Sequence, residues 1–314
     1  MNQRWFLSAA IAGALLAAFA PVAAAARVPD RRVNGIEWFY VFGQQGSQKY
    51  GAAQEHAKQV FYMEVPKDFA GQVLIRVLDA DLQGQHDEVD GALNTSTKFS
   101  VYGGLKPLTS RIVPAGEPDG MTLDLGPFSA NQGEVEGDLA VFRVEAEGLE
   151  GNDSNLFAFD VSPSQAKLFS FTPAIRLMSK EGDRMRFFPQ IPAKITGIRA
   201  WNYDLDPTGG SSVLLTPPGP VGTARGIQKA FWIENSATAS WARTDVTIPE
   251  PYLGGGLWIY QITKKTQSAA NMSMRFEDQN SKPLRVYFTQ GEPAEQVKVP
   301  ATGAELAADV KRNR

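Results

Sequence analysis

The sequence predicts an all-β protein built as a tandem pair of β-sandwiches with short peripheral helices. Two observations lead there. Short apolar runs alternate with turn residues along the whole chain, which carries 29 glycines and 20 prolines in 314 residues. The strand-and-loop pattern of the first half then recurs in the second, while helical periodicity is confined to two short stretches at residues 52–59 and 304–312.

The N-terminus reads as an export signal. Arg4 supplies the positive charge, an apolar stretch runs from Trp5 to Ala20, and small residues at Ala23-Ala24-Ala25 offer a cleavage site, so residues 1–25 are expected to be removed. No later segment holds the ~20 apolar residues that a spanning helix needs, so no transmembrane segment is expected after cleavage. The expected location is periplasmic or extracellular. With no cysteine the chain makes no disulfide, so burial or bound ions must stabilise it. A formal net charge of −3, without a basic block, argues against a nucleic-acid partner.

The strands follow in order. Residues 72–78, 98–102 and 139–144 are rich in β-branched and aromatic side chains with a period near two, and most are bounded by Gly, Pro, Asp or Asn. Their counterparts define a duplication. Val60-Phe61-Tyr62-Met63-Glu64-Val65-Pro66 leads into a strand ending Leu78-Asp79-Ala80-Asp81, and residues 185–192 lead into one ending Tyr203-Asp204-Leu205-Asp206. Gly137-Asp138-Leu139-Ala140-Val141-Phe142 is answered by Gly255-Gly256-Leu257-Trp258-Ile259-Tyr260, and the strand at 156–161 by that at 272–277. In the last of these, Met272, Met274 and Phe276 should face the core and Ser273, Arg275 and Glu277 the outside. The domains are expected at residues 34–165 and 166–292, followed by a C-terminal tail at 293–314.

The segment Asp79-Ala80-Asp81-Leu82-Gln83-Gly84-Gln85-His86-Asp87-Glu88-Val89-Asp90 holds the most chemistry. Oxygen-bearing side chains fall at Asp79, Asp81, Gln83, Asp87 and Asp90, with Gly84 where a sharp turn is needed, which is the ligand spacing of an EF-hand loop. Clustered carboxylates repel one another unless a cation neutralises them, and calcium prefers hard oxygen ligands. Because a strand and not a helix leads in, the segment resembles the Asp-x-Asp-x-x-Gly calcium loops of β scaffolds. The sandwiches are accordingly jelly-roll-like or C2-like. The second of these resemblances implies that a later loop adds ligands, and Asp153 and Asn155 occupy a suitable place. The second half keeps Asp204, Asp206, Thr208 and Gly209 but has Leu215 at the last position, so its loop reads as degenerate or as an ordinary turn.

Catalytic signatures are sparse. There is no G-x-S-x-G elbow, no clustered His pattern for zinc, and no phosphate-binding glycine loop. The only histidines, His56 and His86, read as ordinary polar-segment residues. The sequence is therefore read as an exported non-enzymatic binding or structural protein with a structural calcium ion in its first sandwich, whose partner is a cell-surface protein or a polysaccharide. The alternative is a carbohydrate-binding module or polysaccharide-active hydrolase using tryptophans of the second half. Trp232 and Trp241 flank a polar stretch and are the candidates for a glycan surface; Trp201 and Trp258 read as core or edge packing.

Overall fold

The computed structural model describes residues 38–43, 56–79, 95–115, 122–177, 182, 184–205, 211–218, 230–265 and 270–288. The expected signal segment, most of the acidic loop and the expected C-terminal tail lie outside these residues.

The chain folds into β1 (Trp38–Phe42), β2 (Lys58–Pro66), β3 (Gln72–Asp79), β4 (Ser96–Gly103), β5 (Lys106–Val113), β6 (Thr122–Ser129), β7 (Glu134–Glu136), β8 (Leu139–Glu150), β9 (Ser154–Ser162) and β10 (Lys167–Ser170). It continues with β11 (Ala174–Leu177), β12 (Arg184–Ile191), β13 (Gly197–Tyr203), β14 (Ser211–Thr216), β15 (Phe231–Ile233), β16 (Trp241–Thr247), β17 (Gly256–Leu257), β18 (Ile259–Lys264), β19 (Ala270–Asp278) and β20 (Val286–Tyr287). Single 3-10 turns at Ala130–Gln132 and Glu250–Tyr252, with the helical residues His56 and Ala57 from the stretch expected at 52–59, are the helical structure among the described residues. Residues 58 and 59, within the stretch expected to be helical, open strand β2 instead.

Both sheets are antiparallel and run through the two halves. The smaller, eight-stranded sheet has the order β16-β13-β19-β11-β1-β9-β3-β6; the larger has the order β15-β14-β18-β12-β20-β10-β2-β8-β4-β5. In each, one half repeats the other in reverse with strand numbers raised by ten, and β1 pairs β11 as β10 pairs β20. That order is what an approximate twofold axis through both seams produces. It relates Trp38–Ser170 to Ala174–Tyr287, so β10 belongs topologically with the strands before it. The fold is thus a tandem pair of sandwiches joined edge to edge. A join of this kind removes one exposed edge from each sheet of each half.

The core lies between the sheets and is continuous across the seams. Phe39 and Ile175 pair on the axis in the smaller sheet, and both are buried in this core. Met272, Met274 and Phe276 point into it, as their alternation predicts, each burial being worth ~1.5–3 kcal/mol. At the seam β1 and β11 share only two paired positions, Trp38 with Arg176 and Phe39 with Ile175. Beyond them the Gln59 side chain fills the gap. Its amide donates to the carbonyls of Tyr40 and Ala174 and accepts from the Ala174 N–H, replacing a missing rung of the ladder.

The seam of the larger sheet is held from outside by charge. Glu64 is 5% exposed, and both its oxygens accept from Tyr287 Oη at 3.1 Å. Arg285 Nη1 lies 3.0 Å from Glu64 and Nη2 reaches Glu136. Burial raises the Glu64 carboxyl above its usual range, and the Tyr287 hydrogen bond and Arg285 charge work against that rise.

Candidate functional site

One end of the first half gathers polar side chains where a sandwich normally buries apolar ones. Strand β3 ends at Asp79, where the acidic segment begins, and Thr95 and β4 receive the chain where it ends. Between them the turn after β8 and the start of β9 bring in Asp153, Ser154 and Asn155. Thr95, Ser96, Thr97, Asp153, Ser154 and Asn155 are all 7% exposed or less. Thr95 Oγ1 lies 2.7 Å from both the carbonyl oxygen and Oδ1 of Asp153, and Asn155 Nδ2 donates to Thr97 Oγ1 at 2.7 Å. The Asn155 Oδ1 is buried without a hydrogen-bond partner. A buried carbonyl oxygen left unpaired costs ~1–3 kcal/mol, and a hard cation is one partner that would remove the cost.

The structure therefore brings Asp153 and Asn155, two of the expected ligands, to the loop end at which Asp79 closes β3. Asp81, Gln83, Asp87 and Asp90 lie outside the described residues, as does His86. Among the described residues no group of three or more His, Cys, Asp or Glu side chains could hold a metal. In the second half the register places Ala270 where the first has Asn155, so the corresponding oxygen is gone. Asp204 Oδ1 there accepts the Ala239 N–H at 2.9 Å, which ties a turn together; Asp206 lies outside the described residues.

The tryptophans divide by position. Trp258 is in the core, stacked on Phe231 at 6.0 Å. Trp232 is paired with Leu214, whose neighbours Val213 and Leu215 point inward, so Trp232 lies on the outer face of the larger sheet. Trp241 is paired with Tyr203 on the outer face of the smaller sheet. The two expected members of a glycan surface thus stand on opposite faces of the molecule. Trp201, which the sequence assigned to packing, is the nearer neighbour of Trp241: the Arg275 guanidinium lies 4.6 Å from the Trp201 ring centre and 4.7 Å from that of Trp241. Strand alternation puts Trp201 on one face with Arg199 and Tyr203, and packing of the sheets makes that face the outer one.

His56 is no ordinary surface residue. It is 5% exposed at the seam of the smaller sheet, edge-on to Tyr40 and Tyr203 at 5.4 Å each, with Nε2 2.9 Å from Ser273 Oγ. Burial pushes its pKa down to about 4, so the ring is neutral at neutral pH. A buried neutral imidazole holding two halves together has a packing role.

No known protein family matches the chain, and no curated protein matches it. Among solved structures, the N-terminal CBM22-1-CBM22-2 tandem domain of Xyn10C from Paenibacillus barcinonensis is similar over 72% of this chain and 82% of that one, at 14% identity. Its TM-score is 0.19, a superposition too poor to bear on what this chain binds.

Proposed function

We propose that this is an exported, non-enzymatic β-sandwich protein with a binding or structural role, and that a calcium ion orders the loop end of its first half. The observation that carries the reading is the unpartnered, buried Asn155 Oδ1 beside the buried Asp153 carboxylate, at the end of β3 where the acidic segment starts. Calcium would be held by oxygens from Asp79, Asp81, Gln83, Asp87 and Asp90 together with Asp153 and Asn155. It would supply the positive charge that lets these carboxylates share one place. Thr95 and Thr97 position Asp153 and Asn155 through their hydroxyls. The role of such a site is mechanical: it fixes one rim of the sandwich for a partner to meet.

Calorimetric titration of calcium into chelator-stripped protein, with thermal melts in parallel, tests this. Saturable binding that raises the melting temperature, and is lost in Asp79→Ala/Asp81→Ala, supports it. Absence of binding at millimolar calcium sinks it.

A further inference from the structure

The approximate twofold axis makes a residue-by-residue comparison of the two outer faces of the smaller sheet possible. In the first half Arg76 on β3 is flanked by Asp124 on β6 and Asp160 on β9. Arg76 reaches Asp124 with Nε at 2.6 Å and Nη2 at 3.1 Å, so the row is closed on itself. The equivalent row of the second half is Arg243 on β16, Trp201 on β13 and Arg275 on β19. One cation between two acids has become one tryptophan between two cations.

The second row is not closed. Arg275 is stacked against Trp201 and Trp241, and the Arg243 guanidinium lies 5.6 Å from the Trp201 ring centre. Stacking engages the faces of a guanidinium and leaves its in-plane N–H donors unused. Arg275 Nε and Trp201 Nε1 are buried and have no hydrogen-bond partner, so a ligand would meet the guanidinium at its Nη nitrogens. The nearest acids compensate in part: Glu277 lies 3.5 Å from Arg275 Nε, and Asp245 lies 3.0 Å from Arg243 and 4.0 Å from Arg199. Three arginines against two carboxylates leave this patch positive on a chain whose formal charge is −3. Trp201, Trp241 and the side chain of Arg275, 33% exposed, remain in part open to solvent.

We infer that this face of the second half binds an acidic polysaccharide, with Arg275 as the carboxylate-recognising fork. A guanidinium held between two aromatic rings is preorganised for a bidentate contact with a planar anion. Aromatic edges beside it suit the apolar face of a sugar ring, and a uronate pyranose offers both features in one residue. Arg243, at the sheet edge, adds the charge that draws a polyanion in. The site is independent of the ion-binding end, which lies in the other half.

The test is calorimetric titration of the full chain with hexagalacturonate, and with cellohexaose as the neutral counterpart. Hexagalacturonate should bind, weaken with added salt and lose about tenfold in affinity in Arg275→Met, while cellohexaose should not bind. Arg76→Met, in the equivalent row of the first half, should leave affinity unchanged. If Arg275→Met fails to fold, the exposed Arg243→Ala gives the same reading with a smaller loss. No binding of hexagalacturonate, equal binding of cellohexaose, or affinity indifferent to both arginine variants overturns the proposal.

Discussion

His56 Nε2 lies 2.9 Å from Ser273 Oγ, so a residue just ahead of β2 in the first half is hydrogen-bonded to β19 of the second. The contact sits over the seam where β1 and β11 separate, and its value depends on the ring being neutral. In the unfolded chain the imidazole titrates near 6.5; in the fold burial holds it at about 4. Below pH 6.5 the unfolded state therefore binds the extra proton. Stability is full above that value, falls as the pH drops toward 4, and levels off below it, a loss of up to ~3 kcal/mol. Urea unfolding from pH 7 to pH 4 should show this slope, and His56→Gln should flatten it. An unchanged slope in the variant would assign acid sensitivity to other groups.

Gln59 mends the smaller sheet where β1 and β11 part. Removing its amide takes the side-chain bond away from two carbonyls and one N–H in the seam. Gln59→Leu, which keeps the volume, should cost ~2–4 kcal/mol in urea unfolding. A cost below ~0.5 kcal/mol would mean that the amide does not bridge the strands.

Arg285 connects Glu64 and Glu136 across the seam of the larger sheet and lies 4.6 Å over the Phe169 ring. Arg285→Met strands the Glu64 carboxylate in a buried place, at ~3 kcal/mol, whereas Glu64→Gln/Arg285→Met removes the stranded charge. The double variant should be more stable than Arg285→Met alone. Additive losses in the double-mutant cycle would show the two residues to be uncoupled.

Asn155→Leu separates an ion ligand from a packing residue. In chelator the change should be within ~1 kcal/mol of wild type, since the lost bond to Thr97 is offset by removal of an unpaired oxygen. With calcium present it should be clearly destabilising, because the ion loses a ligand. Equal effects in both conditions would remove Asn155 from the site.

Gly148 backs onto β1. A Cβ there would stand 2.1 Å from the Phe42 carbonyl oxygen, a backbone atom that cannot turn aside. Gly148→Ala should cost ~2–4 kcal/mol in chemical unfolding, through displacement of β1. Wild-type stability in this variant would show that the two strands are free to separate.

Much of the architecture is legible in one dimension. The runs at 72–78, 98–102, 139–144 and 156–161 all lie within strands β3, β4, β8 and β9, because β-branched and aromatic alternation is a local property. Duplication was visible for the same reason: Leu78-Asp79 and Tyr203-Asp204 keep their place at matching strand ends.

What the sequence determined by itself, then, is the class, the repeat and the inward residues of strands such as Met272–Phe276, since period-two patterns need no partner to be read. The tertiary structure alone decided which strands become neighbours. Pairing β1 with β11 and β10 with β20 placed Gln59, His56 and Arg285 at seams, and pairing β13 with both β16 and β19 set Trp201 between Arg243 and Arg275. Strand parity sorts side chains into two faces; only packing of one sheet on the other settles which face meets water.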